Sequence, residues 1–121
     1  MKRDMELVRR ILLELSESSQ PLDARTFVDG NTTLEEVIYH FRIMEDGGLI
    51  KASVAYAGNK PYICTANELT WAGNDFLASI RSNSIWSKVK TTIAKATGDA
   101  SLDVIKALAE KISTNMLLSS V

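Results

Sequence analysis

The chain changes its hydrophobic period within one short stretch, residues 68–80, which read ELTWAGNDFLASI. The residues up to Leu69 predict a β-strand. Beyond it, the apolar residues recur at helical spacing, at Phe76, Leu77 and Ile80. Thr70 is placed to cap the new helix. Gly73 lowers helix propensity by about 1 kcal/mol relative to alanine, so we expect it to allow a close approach to a neighbouring element. The stretch predicts a direct strand-to-helix junction.

Residues 31–50, NTTLEEVIYHFRIMEDGGLI, carry both a start and a stop signal for a helix. Thr33 and Glu36 have the spacing of a capping box, in which each side chain accepts a backbone N–H of the other residue. Gly47 and Gly48 favour the left-handed backbone that ends a helix. The apolar stripe between these signals consists of Leu34, Val37, Ile38, Phe41 and Met44.

Two runs after this helix, LIKASVAYAG and KPYICTANEL, are rich in strand-forming residues. They predict a β-hairpin that turns at Gly58 and Asn59. Before the capped helix, the run LDARTFV alternates loosely and predicts a short strand that ends at a turn over residues 29–31.

Three further stretches predict amphipathic helices. The first, in MKRDMELVRRILLEL, has an apolar stripe at Met5, Val8, Ile11, Leu12 and Leu15. The second runs from Ser84 to Thr97 and ends at Gly98. Its inward-facing residues are Ile85, Trp86, Val89 and Ile93. The third begins at Ser101, and its stripe is Val104, Ile105, Leu108, Ile112 and Met116.

The predicted order of elements is helix, short strand, helix, hairpin, helix, followed by two helices. This order predicts an α+β fold with a winged-helix-like core over residues 1–81. The two additional C-terminal helices, over residues 82–121, are expected to pack on that core as a helical extension, so that the whole chain is one domain.

Composition predicts a cytoplasmic globular protein. The 121 residues are 45% hydrophobic and 24% charged, which provides enough apolar material for one core. Charged residues interrupt every apolar run before it reaches the length of a signal peptide or a membrane span. A single cysteine, Cys64, leaves no partner for an internal disulfide and fits a reducing cytoplasm. Fourteen Lys and Arg residues against fifteen Asp and Glu residues give no net field that would hold the chain on nucleic acid or a membrane.

Several motifs resemble those of known families. YHFRIMEDGGLI resembles the end of the recognition helix and the start of the wing in arsenic-repressor and PadR-type regulators, and ELTWAGNDFL is similar to the Leu-Thr-x-x-Gly segment that follows the wing there. Together, the stretches MKRDMELVRRILLEL, LTWAGNDFLASIR, IWSKVK and SLDVIKALAEKI resemble a narrower family of small bacterial and prophage proteins, domain of unknown function 2513. This resemblance spans nearly the whole chain and implies a winged-helix-like fold, but it brings no activity to transfer.

The predicted recognition helix differs from one that reads DNA. Only residues 21–31 separate it from the first helix, too few for a strand and a full helix, so we expect a truncated helix-turn-helix. Its outward carboxylates, among them Glu45, outnumber its single arginine, which is unfavourable against phosphate. This face is either a merely solvated helix surface or, as the functional hypothesis, a surface for a basic protein partner, and DNA reading is the least favoured use of the helix. This surface comprises Glu35, Glu36, Tyr39, His40, Arg42 and Asp46.

The alternative hypothesis is a nucleic-acid-binding surface, which would make the protein a DNA-binding transcriptional regulator. The best such patch combines the hairpin tip with the lysines of the following helical region, namely Asn59, Lys60, Lys88, Lys90 and Lys95. Trp71 and Trp86 lie at or beside helical core positions, so we expect them to fill core rather than to stack on bases.

No catalytic equipment is visible in the sequence. His40 is the only histidine, and Cys64 has no Asp or His beside it, so the spacing of a zinc site is absent. Phosphate-binding and hydrolase motifs are absent too. We therefore expect a non-enzymatic protein without metal or cofactor, in which His40 is structural or merely exposed. A homodimer is also predicted from the apolar residues near the C terminus, Ile112, Met116, Leu117 and Leu118.

Overall fold

The computed structural model describes residues 1–96 and 98–120, and within them it shows an α+β structure, which confirms the predicted fold class. The helices are α1 (Met5–Glu17), α2 (Leu34–Asp46), α3 (Trp71–Ile80), α4 (Asn83–Ala96) and α5 (Leu102–Ser119). The strands are β1 (Leu22–Asp23), β2 (Ile50–Ala57) and β3 (Lys60–Leu69), and a 3-10 helix, η1 (Ala24–Phe27), follows β1. The chain divides into two compact units, residues 1–74 and 75–121.

The sheet of the first unit is antiparallel, with strand order β1-β3-β2. β3 is therefore central, and among residues 1–96 and 98–120 only β3 pairs with β2. The β2–β3 register shifts at two places, because Asn67 and Tyr62 of β3 have no register partner in β2. Both extra residues lie in β3. The N–H groups of β2 therefore point alternately toward β3 and away from it along the strand.

The core of the first unit lies between the sheet and the apolar stripes of α1 and α2. The α2 residues Val37, Ile38, Phe41 and Met44 are buried, as predicted, while Leu34 is half-buried. Leu7 joins the predicted α1 stripe, and Met5 is half-buried. The buried α1 residues are Leu7, Val8, Ile11, Leu12 and Leu15.

The strand predicted over residues 22–28 is wrong beyond its first two residues. β1 ends at Asp23, whose carboxylate accepts the backbone N–H of Arg25 at 2.8 Å and so caps η1. An aspartate at this position offers the backbone an alternative to the strand ladder. The resulting turn buries Phe27 completely, and its ring meets the Phe41 ring edge to face at 6.0 Å. The segment between α1 and α2 thus holds a two-residue strand and a four-residue 3-10 helix.

The loop before α2 is tied to α1 by Arg10. Its guanidinium contacts a carboxylate oxygen of Asp29 at 3.2 Å and donates to the carbonyl oxygen of Phe27 at 3.3 Å. The backbone N–H of Asn31 also donates to Asp29 at 2.8 Å. This backbone hydrogen bond, assisted by Arg10, holds the pKa of Asp29 below its usual value.

The capping box predicted at the start of α2 is confirmed. The Thr33 hydroxyl accepts the Glu36 N–H at 3.2 Å, and the Glu36 carboxylate accepts the Thr33 N–H at 3.2 Å. The predicted stop is confirmed as well, because Gly48 adopts a φ of 76° and Leu49 donates back to the carbonyl of Met44 at 2.9 Å.

Replacing the cap, Thr33→Ala, is expected to lower the free energy of unfolding by about 1 kcal/mol, since the Glu36 N–H loses its acceptor. Thermal unfolding followed by circular dichroism measures the loss. Glu36→Gln is the matched control, because an amide oxygen still accepts the Thr33 N–H. Equal stability of Thr33→Ala and the wild type would show that solvent replaces the cap without loss.

The strand-to-helix junction also forms as predicted. Thr70 caps α3 by accepting the Gly73 N–H at 2.9 Å, and its own N–H donates to the carbonyl of Leu49 at 3.0 Å. A Cβ at Gly73 would lie 1.9 Å from the carbonyl oxygen of Leu49. The expected close approach of the first turn of α3 is therefore confirmed, and the neighbour is the backbone that enters β2.

The prediction that Trp71 fills core is wrong, because its side chain is 84% exposed. Trp71 is the first residue of α3, and it lies about 200° around the helix from Gly73 at 100° per residue. Gly73 faces the backbone of Leu49, so Trp71 faces away. Trp86 is 4% exposed, as predicted for a core residue.

The second unit contains most of α3 together with α4 and α5, and the last two helices contact each other. Gly98, with a φ of 77°, follows α4, while the predicted helix end at Thr97 lies outside the described residues. Ser101 caps α5 by accepting the Val104 N–H at 3.3 Å. The predicted inward place of Val104 is wrong, since it is 54% exposed. The buried apolar residues of this unit are Phe76, Leu77, Ile80, Trp86, Val89, Ile105 and Ala109.

Candidate protein-binding surface

The outward side of α2 presents a cluster of acidic side chains beside the sheet. We call it the acidic α2 surface and define it by Glu35, Glu36, Tyr39, Arg42, Glu45 and Asp46. Four of these residues are carboxylates and one is an arginine, so the surface has a formal charge of −3, from −4 and +1. Glu35, Arg42, Glu45 and Asp46 are exposed, and Glu36 and Tyr39 are half-buried.

Strand β2 holds several of these side chains in place. The hydroxyl of Tyr56 lies 3.5 Å from a carboxylate oxygen of Glu35, and the Arg42 guanidinium stands 5.7 Å from the centre of the Tyr56 ring. At the other end of β2, the Ala52 N–H donates to the Glu45 carboxylate at 2.7 Å. The acidic α2 surface and β2 therefore form one continuous region.

His40 does not belong to this surface, which corrects its predicted exposed place. Its ring is 1% exposed, and Nε2 accepts the backbone N–H of Asp4 at 2.8 Å. Because Nε2 accepts, the ring proton lies on Nδ1, which donates to the carbonyl of Glu36 at 2.7 Å. Both ring nitrogens are used, and His40 joins α2 to the start of α1. His40 was expected to be either structural or merely exposed, and the structure shows the structural role.

The free side of β2 was not identified from the sequence. The Ala52 N–H points to Glu45 and thus away from β3, and alternation along the strand directs the N–H groups of Val54 and Tyr56 to the same side. Pro61, opposite Tyr56, has no N–H, which fits this assignment. A groove lies along β2 and is lined by Arg42, Glu45 and Asp46 of α2, residues 52–55 of β2, and Ile63 of β3.

The predicted nucleic-acid patch divides between the two units. Asn59 and Lys60 lie at the exposed hairpin tip of the first unit, and the three lysines lie on α4 in the second. Lys88 and Lys95 are seven residues apart and share one side of α4. Lys90 lies about 200° from Lys88, and its ammonium stands 5.8 Å from the centre of the Trp86 ring. The lysines of α4 therefore do not form one stripe.

The two side chains considered above for catalysis or metal binding, Cys64 and His40, each have a structural environment. Cys64 is a buried free thiol in β3, and its sulfur accepts an N–H of the Arg25 guanidinium at 3.4 Å. No group of three or more His, Cys, Asp or Glu side chains with the arrangement of a metal site occurs among residues 1–96 and 98–120. None of the helices described there combines the length and apolar character needed to cross a membrane.

The apolar end of α5 contains the residues from which a homodimer was predicted. Leu117 and Leu118 are 70% and 68% exposed, whereas Ile112 and Met116 are half-buried. The homodimer itself stays a prediction.

The described residues thus form an α+β protein that presents an acidic helix beside a strand at the border of the sheet. A family model described as a hypothetical protein family, DUF2513, matches residues 2–99, and the chain belongs to this family, as its motifs indicated. An uncharacterised protein of Haemophilus influenzae is 40% identical over 119 residues, which are 97% of this chain and 99% of the relative. No solved structure matches the chain. The resemblance to winged-helix regulators therefore stays a prediction.

Proposed function

We propose that this protein is a non-enzymatic binding module that recognises a basic surface of a protein partner. The observation that carries the proposal is the charge of the acidic α2 surface, −3, on a helix whose opposite side is buried in the core. Such a surface attracts lysine and arginine side chains and gives the encounter its orientation.

The same charge argues against DNA as the partner of α2. Binding to a duplex depends on the neutralisation of phosphates by Lys and Arg, and this surface offers Arg42 alone. The short η1 also stands where a DNA-reading domain has a full supporting helix.

The setting we propose is the cytoplasm of a bacterium that carries a phage or another mobile element. The resemblance to small bacterial and prophage proteins supports this setting. An inhibitor or an adaptor of a host system would need a surface for recognition and no chemistry of its own.

Affinity capture with paired baits tests the proposal. The wild-type chain is expected to retain a protein in stoichiometric amount from a bacterial lysate, and the double variant Glu35→Gln with Asp46→Asn is expected to lose most of it. Two exposed ion pairs contribute about 1 kcal/mol together, or roughly fivefold in affinity. Glu17→Gln, which removes an exposed carboxylate from α1, is the matched control and should behave as the wild type.

Capture of nucleic acid alone, with no stoichiometric protein, would overturn the proposal in favour of a DNA-binding regulator that uses Asn59, Lys60, Lys88, Lys90 and Lys95. That function would show as a duplex mobility shift that weakens steeply with salt. A partner retained equally by the double variant would place the contact elsewhere on the molecule.

A further inference from the structure

The free edge of β2 lies along the same region as the acidic α2 surface. On this side Ala52, Val54 and Tyr56 offer N–H groups that no strand of the described chain accepts. Unpaired strand edges readily bind another strand, and natural proteins usually cover or shorten them. Here β2 runs for eight residues, and within residues 1–96 and 98–120 it forms the border of the sheet.

One of these N–H groups is already occupied by an acceptor that can leave. The Glu45 carboxylate accepts the Ala52 N–H at 2.7 Å, which is the place that a carbonyl of an added strand would take. Glu45 is an exposed side chain on α2, so a rotation about its side-chain bonds releases this position to an incoming carbonyl. The edge is thus covered at one point by a movable group rather than by a packed element.

The charges beside the free edge of β2 favour a positively charged segment as the added strand. Arg42, Glu45 and Asp46 line the α2 side of the groove, and the exposed Glu35 lies next to Tyr56 of β2. The formal charge of these four residues is −2, from −3 and +1. The opposite face of β2 carries Ser53 and Ala55, with Ile63 of β3 beside them. Lys51 on the same face is paired with Glu68 at 3.4 Å, so this pair adds no net charge. A second copy of this chain would place two acidic surfaces together, which is unfavourable.

We propose that β2 accepts an extended segment of a partner protein as an additional strand, and that this segment carries Lys or Arg at alternate positions. Side chains of a strand point alternately to opposite faces. The basic ones would face Glu35, Glu45 and Asp46, and small or β-branched ones would lie against Ala55 and Ile63. This inference rests on the proposed function and specifies its partner as an extended basic peptide, bound by main-chain hydrogen bonds.

A designed peptide tests the inference. The probe is a short capped peptide in which Lys or Arg alternates with Thr or Val, and the readout is amide hydrogen exchange of the full chain by NMR. We expect exchange at Val54 and Tyr56 to slow by about threefold to tenfold, the range that one net hydrogen bond represents. The same peptide with Glu in place of Lys and Arg should have no effect.

Two further reagents separate strand addition from simple charge attraction. A peptide that is N-methylated on the edge facing β2 keeps its charge but cannot complete the ladder, and it is expected to lose the protection. Val54→Pro removes the central N–H of the edge, where proline is tolerated, and should have the same effect. The N-methylated peptide decides the matter even if Val54→Pro fails to fold.

The outcomes distinguish the inference from the function on which it rests. Binding that depends on Glu35 and Asp46 but leaves the exchange of Val54 and Tyr56 unchanged overturns strand addition and supports the proposed function. No binding of the basic peptide also overturns strand addition, while the affinity capture decides the function separately. If the protein alone, without peptide, had twice its monomer mass in solution and Val54→Pro restored the monomer, a second copy would occupy the edge of β2. This result would also overturn the inference.

Discussion

Replacing Gly73 with alanine is expected to lower the free energy of unfolding more than the same substitution at Gly30, Gly48, Gly58 or Gly98, where the added Cβ meets no atom within 4 Å. The new Cβ would lie 1.9 Å from the carbonyl oxygen of Leu49 and 2.9 Å from its carbonyl carbon. Both atoms are backbone at the entry to β2, so neither moves away by rotating a side chain. The free energy of unfolding should fall by about 3 kcal/mol or more, even though alanine favours the helix by about 1 kcal/mol.

Urea unfolding measures this loss, and Gly30→Ala is the matched control. A Cβ at Gly30 meets no atom within 4 Å, and its backbone is not in the left-handed region, so the same substitution there should change stability by no more than about 1 kcal/mol. A loss below about 1 kcal/mol at Gly73 would mean that α3 can move away from Leu49 freely. The junction would then not fix the position of the helix.

The second large effect is expected at His40. Phenylalanine in its place keeps much of the volume but leaves the part-buried Asp4 N–H without its acceptor. The Glu36 carbonyl also loses the Nδ1–H donor and keeps only its helical bond within α2. Removing one partner from a polar group that is shielded from water costs about 1–3 kcal/mol. We expect His40→Phe to lower the free energy of unfolding by about 2 kcal/mol or more, measured by the same urea unfolding.

Glutamine at this position tests the cause. Its side chain carries an acceptor and a donor, so His40→Gln should lose less stability than His40→Phe. A smaller loss for phenylalanine than for glutamine would show that packing, and not the two hydrogen bonds, holds His40 in place. Hydrogen exchange near Asp4 adds a local readout, because the start of α1 should open more often in the phenylalanine variant.

Features with signals inside one short stretch could be predicted from the sequence. The capping box of α2, its glycine stop, the hairpin turn and the cap at Thr70 each depend on residues a few positions apart. The need for a close approach at Gly73 was visible as well, because glycine is unfavourable within a helix. The identity of the neighbour, Leu49, required the fold.

Features that depend on distant partners could not be predicted in this way. His40 lies three residues after Val37 and four before Met44, so helical spacing places it on the buried side, but its acceptor role depends on Asp4, 36 residues away. The alternation of LDARTFV indicated a strand, and the Asp23 side chain instead capped a turn. The free edge of β2 follows from strand order, which no local pattern contains.

The acidic α2 surface could be predicted from the sequence only in part. Helical spacing identified Glu35, Glu36, Tyr39, Arg42 and Asp46 on one side of α2, and the structure keeps them there. Glu45 was recognised as outward but was not included in the predicted surface. Its hydrogen bond to Ala52 shows that it is the residue by which the helix covers the strand edge.

The burial of Cys64 gives the first unit an intrinsic probe of its own opening. The thiol is fully buried in the central strand, opposite Val54 and beside Arg25. The chain has no other cysteine, so a thiol reagent has a single target. The rate of labelling would report how often β3 becomes accessible, without an introduced dye or mutation. A ligand that pairs with the edge of β2 would slow the labelling of Cys64. The labelling rate would therefore report binding at the border of the sheet.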